Sequence, residues 1–203
     1  MKYHLTLLFI FSAALTWSGI APHDYFTWFL EVIPALIGLV VLILIYPRYK
    51  FTNIAYTLML IHALILMVGG HYTYAEVPCF NWIKEACDQT RNNYDKVGHF
   101  AQGFIPAIIA REILIRDNIV HSKAWLNVIV VSLCMAISAA YEFLEWAVAE
   151  LTGESAEAFL GTQGYAWDTQ SDMLYATMGA ITALILLGKY HRQVLVQLKT
   201  KLS

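Results

Sequence analysis

The sequence predicts an all-α, polytopic membrane protein, a bundle of about six transmembrane helices with both termini cytoplasmic. Three observations predict this fold. The 203 residues are 59% hydrophobic and only 14% charged, whereas soluble domains carry roughly 25% charged residues. The apolar residues form continuous runs of membrane-spanning length, and the basic residues concentrate at one set of run ends.

Six apolar runs are long enough to cross a bilayer, which takes ~20 residues. They cover about 4–21, 27–46, 52–72, 98–115, 124–148 and 169–188. In lipid only α-helices and closed barrels satisfy the backbone, and these runs lack the alternation of barrel strands. No A-x-A cleavage site follows the first run, so it is interpreted as a retained helix. We therefore expect a single transmembrane domain over 1–203.

The basic residues predict the orientation. Lys84, Arg91 and Lys96 lie at one set of helix ends, and the other ten Lys and Arg lie at the opposite ends. The positive-inside rule places the richer ends in the cytoplasm. Both termini are then cytoplasmic, which agrees with an even number of spans. The segment at about 73–97 becomes an outer loop.

Composition also limits the partners. The net charge of −2 gives no basic surface for nucleic acid, and the apolar runs make membrane lipids the expected surroundings. The sequence has no phosphate-binding glycine loop, G-x-S-x-G elbow or H-E-x-x-H element. Cys79 and Cys87 share the outer loop; a disulfide between them and two free thiols both stay open.

Ionisable residues recur at a similar depth near the outer ends of three runs. Their spacing is three or four residues, so each pair shares one helix face. The pairs are Asp95 with His99, Glu142 with Glu145, and Asp168 with Asp172. Such groups are costly inside a membrane, at roughly 2.5–3.5 kcal/mol at a helix centre. We expect them to meet in one layer just below the outer surface.

A divalent metal would compensate this excess of carboxylates. Imidazole and carboxylate groups are ligands for Zn, Mn or Fe. The candidate ligands are His99, Glu142, Asp172 and His71, which ends the third run at similar depth. Asp95, Glu145 and Asp168 are the candidate catalytic groups, as general bases or as groups that orient the ligands.

Plainer interpretations stay open for the same residues. Asp168 and Asp95 stand at helix starts, where Asp caps the backbone and suits the positive end of the dipole. His71 lies among glycines and tyrosines at a helix end, a setting typical of interfacial residues. His99 and Glu142 could form a structural hydrogen-bonded pair between helices.

The runs Tyr94–Phe100, Tyr141–Trp146 and Trp167–Asp172 together resemble the YjdF family of bacterial inner-membrane proteins, over essentially the whole chain. This resemblance implies six helices in the cytoplasmic membrane and supplies no activity. A looser resemblance, over about 94–180, is to VanZ-like membrane proteins, which are linked to the cell envelope. The elements that match it are Asp95, Lys96, His99, Phe100, Glu142, Asp168, Asp172 and Gly179. Ala176 stands where that pattern has Asn.

Three functions follow as hypotheses. The first is a metal-assisted enzyme that acts on a lipid or cell-envelope precursor at the outer leaflet. The second is a small transporter or ion-coupled permease, in which His62 in the middle of the third run and the acidic residues form a pathway. The third is a non-catalytic membrane scaffold.

Overall fold

The computed structural model describes residues 2–152, 159 and 161–202, with side chains described through residue 198. Within these residues the fold is entirely helical, and the prediction of an all-α membrane protein is confirmed. The α-helices are α1 (Lys2–Ser18), α2 (Tyr25–Ile45), α3 (Asn53–Tyr72), α4 (Pro78–Ala86), α5 (Tyr94–Arg116), α6 (Lys123–Thr152) and α7 (Asp168–Leu202).

Every predicted run lies within or largely overlaps a helix, namely α1, α2, α3, α5, α6 and α7. Four segments are long and apolar enough to cross a membrane: Tyr25–Ile45, Asn53–Tyr72, Lys123–Thr152 and Asp168–Leu198. Helix α1 has 17 residues, at the short end of the spanning range. Helix α5 carries charged residues near both ends. Six spans and cytoplasmic termini therefore stay predictions.

The starts of α2 and α3 follow from side-chain caps. The Asp24 carboxylate accepts a 2.7 Å hydrogen bond from the Thr27 backbone N–H, which lowers the pKa of Asp24. The Thr52 hydroxyl accepts one from the Ala55 N–H. Both satisfy a backbone donor that has no partner inside its helix.

Helices α5 and α7 make the most extensive contact among the described elements. Their backbones approach directly at two glycines. A side chain on Gly103 would overlap the carbonyl group of Ala176, and one on Gly179 would overlap the backbone of Phe100. Small residues permit such close crossings in membrane bundles. This crossing brings the N-terminal ends of α5 and α7 together.

Two larger apolar clusters hold the helices together away from this crossing. One joins α5, α6 and α7 and includes Ile108, Val130 and Cys134. The other joins α1, α2 and α3 around Met67. Helix α3 also contacts α5, so α2 and α3 form one wall of the region beside the start of α5.

The segment predicted as an outer loop contains α4 and a 3₁₀ turn at Tyr74–Glu76. Cys79 lies in the first turn of α4 and Cys87 caps its end; both are exposed thiols. A helix rises about 1.5 Å per residue. Eight residues of helix therefore separate these two cysteines by ~12 Å, well beyond the roughly 4.4–6.8 Å Cα spacing of a disulfide.

Candidate functional site

Three helix segments converge on one buried polar cluster. The start of α5 provides Asp95 and His99, and the start of α7 provides Asp168 and Asp172. The C-terminal half of α6 provides Glu142 and Glu145. All six side chains are buried. The structure therefore brings together six of the seven residues that the sequence singled out.

Lys96 lies at the centre of the carboxylates. Its Nζ is 2.6 Å from Asp172 Oδ1, 2.7 Å from Asp168 Oδ1 and 3.2 Å from Asp95 Oδ2. Arg91 adds a second cation, with Nη1 at 2.5 Å from Asp168 Oδ1 and Nη2 at 3.2 Å from Asp95 Oδ2. Asp168 thus begins α7 and also accepts hydrogen bonds from both cations.

His99 faces the oxygens that Lys96 leaves free. Its Nε2 is 3.2 Å from Asp95 Oδ1 and 3.7 Å from Asp172 Oδ2. Its Nδ1 is 3.2 Å from Gln102 Oε1. Because an amide oxygen only accepts, this contact places a proton on Nδ1. Nε2 faces the two carboxylates, where it either donates its own proton to Asp95 or, in a neutral ring, shares a bound cation with them.

This arrangement has the donor set of a cation site. One ligand atom each from Asp95, His99 and Asp172 can be chosen so that all lie within 4.8 Å of one another. Glu142 lies next to them: its Oε1 is 3.9 Å from His99 Nδ1, too far for a hydrogen bond. That oxygen is buried and has no hydrogen-bond partner among the described residues.

A cavity of about 160 Å³ adjoins the cluster. Asp95, His99 and Glu145 form its wall on the side of the cluster. The opposite wall is formed by residues of α2, α3, α6 and the 3₁₀ turn, which include Glu31, His62, Tyr74 and Tyr141. The cavity therefore extends from the cluster to His62, in the middle of α3.

Carboxyl groups outnumber the fixed cations in this region. Glu31, Glu142 and Glu145 add to the three aspartates, while the described cations in contact with them are Lys96 and Arg91. A buried carboxylate without a partner is costly. The excess must be neutralised by protons or by a bound cation.

His71 does not join the cluster. Its Nδ1 is 3.0 Å from the Ser18 carbonyl oxygen, and its ring packs on Trp17 at 4.6 Å between centroids. Its own carbonyl accepts a hydrogen bond from the His23 N–H. The face of α3 that carries His71 packs on α1, so this side chain ties α3 to the end of α1.

A second buried polar cluster joins α3, α5 and α7 at the opposite end of the bundle. Glu112 is fully buried. Its Oε1 accepts hydrogen bonds from Thr52 N at 2.9 Å and Arg116 Nη1 at 2.9 Å. Its Oε2 accepts from Thr52 Oγ1 at 2.7 Å and His191 Nε2 at 3.1 Å.

His191 is neutral in this arrangement. Arg111 Nη1 donates to His191 Nδ1 at 2.9 Å, so Nδ1 has no proton and Nε2 carries it. Arg116 also lies over the Tyr49 ring at 3.9 Å from the centroid. Burial raises the pKa of the Tyr49 hydroxyl to about 12. The sequence carried a weak signal for this cluster, because Arg111 and Glu112 interrupt an apolar run.

Other contributors to the first cluster were harder to see in the sequence. Gln102 contacts Nδ1 of His99, and its signal is only its position three residues after His99. Tyr74 enters the cavity wall because Gly69 and Gly98 leave room for its ring. Neither role is visible without knowledge of which helices are neighbours.

Comparison with known proteins identifies relatives. The chain matches the family described as "Predicted membrane protein (DUF2238)" over residues 3–193. It is 48% identical over 177 residues to "Inner membrane protein YjdF" of Escherichia coli (strain K12), covering 87% of this chain and 85% of that protein. No solved structure matches.

Proposed function

This chain belongs to the DUF2238 family and is a multi-pass inner-membrane protein, and we propose that it is a metal-assisted enzyme acting on a lipid or cell-envelope precursor at the outer leaflet. The observation that carries the proposal is the buried group of Asp95, His99 and Asp172. The unpartnered oxygen of Glu142 beside it is the second support.

The ligand roles follow from the free atoms. Lys96 bonds to one oxygen of Asp172 and lies within 3.2 Å of one of Asp95, so the second oxygen of each stays directed at His99. Gln102 orients the His99 ring through Nδ1, the kind of support that metal-bound histidines require. One imidazole with two carboxylates suits Zn, Mn or Fe. The geometry thus favours Asp95 as the third ligand in place of Glu142.

Glu142 is then available for proton transfer. Its Oε1 lies on the His99 side of the cluster without a hydrogen bond, so it can accept a proton from a nucleophile bound there. A divalent metal at such a site lowers the pKa of bound water or polarises a carbonyl or phosphoryl oxygen. Asp168 is a positioning residue, because it holds Lys96 and Arg91 in place.

The depth of the site supports a lipid or lipid-linked substrate. Exposed tryptophans lie at the same end of the bundle: Trp82 on α4, Trp146 next to Glu145, and Trp167 just before α7. Tryptophan is enriched where the hydrocarbon meets the head groups. A substrate whose reacting bond lies in its head group would reach Glu142 at this level.

Elemental analysis of detergent-purified protein tests the metal. We expect about one metal ion per chain in the wild type and in His71→Ala, whose side chain lies on the α1 side of α3. His99→Ala and Asp172→Asn should lose it, because each removes one of three ligands. Equal metal content in His99→Ala and His71→Ala would refute the site. Metal loss together with unchanged turnover of envelope lipids would refute the enzyme.

The cavity favours one alternative function, an ion-coupled permease. His62 lines the same cavity as Asp95 and His99, and imidazole and carboxyl groups form proton paths in transporters. Solute or proton flux in proteoliposomes that is abolished by His62→Ala, with the metal retained, would support it. If every single replacement in the cluster leaves both readouts unchanged, the scaffold hypothesis is preferred.

A further inference from the structure

The cavity beside the candidate metal site is lined by carboxyl groups without a fixed cation among the described residues. Glu31, Asp95 and Glu145 all line it, and among the described residues around it there is no Lys or Arg. Lys96 and Arg91 contact the other side of the cluster, through Asp168, Asp172 and the far oxygen of Asp95. The two fixed cations therefore do not face the cavity.

Glu145 is the clearest sign that the cavity has a ligand. The residue is only 8% exposed, and it makes no hydrogen bond or ion pair with any part of the chain that the structure describes. His99 lines the same cavity. A buried carboxylate without a partner lacks the compensation that folded proteins normally provide. The wall position of Glu145 leaves its carboxylate for a ligand.

Glu31 reaches the same cavity from α2. It is 4% exposed, and it enters where α3 has no side chain: a Cβ on Gly70 would lie 3.1 Å from Glu31 Cβ. Tyr74 and Tyr141 lie beside its carboxylate. Two glutamates from different helices thus line one small cavity.

Aromatic side chains complete the lining. Tyr74 packs against Gly69 and Gly98, which holds its ring in place. The buried Tyr141 hydroxyl lies beside the Glu31 carboxylate, although it makes no hydrogen bond of regular geometry with the described residues. Aromatic faces attract organic cations, and hydroxyl and carboxylate oxygens accept hydrogen bonds from an ammonium group. A volume of about 160 Å³ admits a short alkylammonium and excludes an acyl chain.

We propose that this cavity binds the primary ammonium group of the substrate, held by Glu145 and Glu31 against Tyr74 and Tyr141. The inference rests on the proposed function and adds its substrate class, an amine-bearing molecule whose reacting bond lies at the adjacent cluster. The amine belongs either to a lipid head group such as phosphatidylethanolamine or to a free small molecule. The chemistry of recognition is the same for both.

The test is a thermal-shift and calorimetric titration of the full chain in detergent with ethylammonium chloride. Sodium chloride at equal ionic strength and neutral ethanol are the matched controls. We expect saturable stabilisation by ethylammonium alone. Glu145→Gln and Glu31→Gln should each weaken it tenfold or more, because each removes a charge-assisted hydrogen bond. Glu85→Gln, an exposed acid on α4, should bind as the wild type does.

Lipid vesicles then identify the source of the amine. Stabilisation in phosphatidylethanolamine over phosphatidylglycerol, reduced in Glu145→Gln, supports a lipid head group; ethylammonium binding without lipid preference supports a free amine. Ethylammonium binding no stronger than sodium, or unchanged in both monodisperse glutamine variants, overturns the inference. Metal content is measured on the same samples: metal without amine binding refutes this inference alone, and amine binding without metal refutes only the proposed enzyme.

Discussion

The crossing of α5 and α7 leaves Gly103 with the least room for a side chain of the glycines in the described fold. Gly103→Ala adds one methyl group where the two backbones touch. The new carbon would overlap the Ala176 carbonyl oxygen and lie 2.9 Å from Ala176 Cα. Non-bonded carbons meet at ~3.5–4.0 Å. Because the obstacle is backbone and not a flexible side chain, the helices must separate by roughly 1 Å or more.

The cost has two parts. Overpacking of a close-packed interior destabilises by about 1–3 kcal/mol, occasionally more, and the backbone obstacle places Gly103→Ala at or above the upper end. Alanine favours helix over glycine by about 1 kcal/mol, which offsets part of this. We therefore expect a net loss of about 2 kcal/mol or more in the free energy of unfolding. The 2.6 Å Lys96–Asp172 contact also spans this crossing, so metal content should fall too.

Thermal unfolding in detergent and elemental analysis measure the two effects. Gly188→Ala is the matched control on α7, because a Cβ there meets nothing within 4 Å. It should be neutral or more stable by up to about 1 kcal/mol, through helix propensity alone. A Gly103→Ala protein as stable and as rich in metal as Gly188→Ala would refute the backbone contact between α5 and α7.

Three further predictions concern other parts of the chain. Asp24→Ala removes the cap of α2 and should cost about 1 kcal/mol of stability. Because folding lowers the pKa of Asp24, the stabilisation by its carboxylate is present above the unfolded pKa of ~3.9 and is lost as the pH falls below it. Unfolding measured across pH 3–7 should therefore show the stabilities of the variant and the wild type converging at low pH. Cys79 and Cys87 should both react with a maleimide without reductant, because α4 holds them apart; absence of both adducts by mass spectrometry would contradict the helix. Glu142→Gln replaces a buried carboxylate, one oxygen of which has no partner among the described residues, by a neutral group of the same shape. It should raise the free energy of unfolding by about 0.5–1 kcal/mol and lower turnover. A variant less stable than the wild type would show that Glu142 has a structural role instead.

The helices could be predicted because each long apolar run has one physical explanation. The meeting of the α5 and α7 pairs could also be anticipated, since spacings of four residues place Asp95 with His99 and Asp168 with Asp172 on single faces. Depth in the membrane then limits where they can meet. Both inferences need only distances along one helix and the level of each residue.

Neighbour relations could not be predicted in this way. His71 lies at a suitable level, yet it faces α1 and bonds to Ser18, because rotation of α3 about its axis is set by packing on α1 and α2. The role of Lys96 likewise depends on the close α5–α7 crossing at Gly103. His191 lies beyond the predicted end of the last span, so its contact with Glu112 was not visible.

The two buried clusters differ in a way that separates structure from function. Both oxygens of Glu112 have partners, and each partner belongs to α5, to α7 or to Thr52, the cap of α3. A fully satisfied buried network rigidifies a fold and leaves no group for a ligand. At the other end, one buried oxygen of Glu142 has no partner among the described residues, and Glu145 lines a cavity.

Unsatisfied buried groups reduce stability, and proteins tolerate them mainly where a site requires them. Glutamine at Glu112 should therefore weaken folding and leave metal and amine binding intact in the protein that does fold. Glutamine at Glu142 or Glu145 should leave folding intact or strengthen it, while it lowers turnover at Glu142 and weakens amine binding at Glu145. The same substitution should therefore have opposite effects at the two ends of the bundle. This is expected if the α5–α6–α7 cluster is a binding site and the Glu112–His191 cluster is a structural contact between helices.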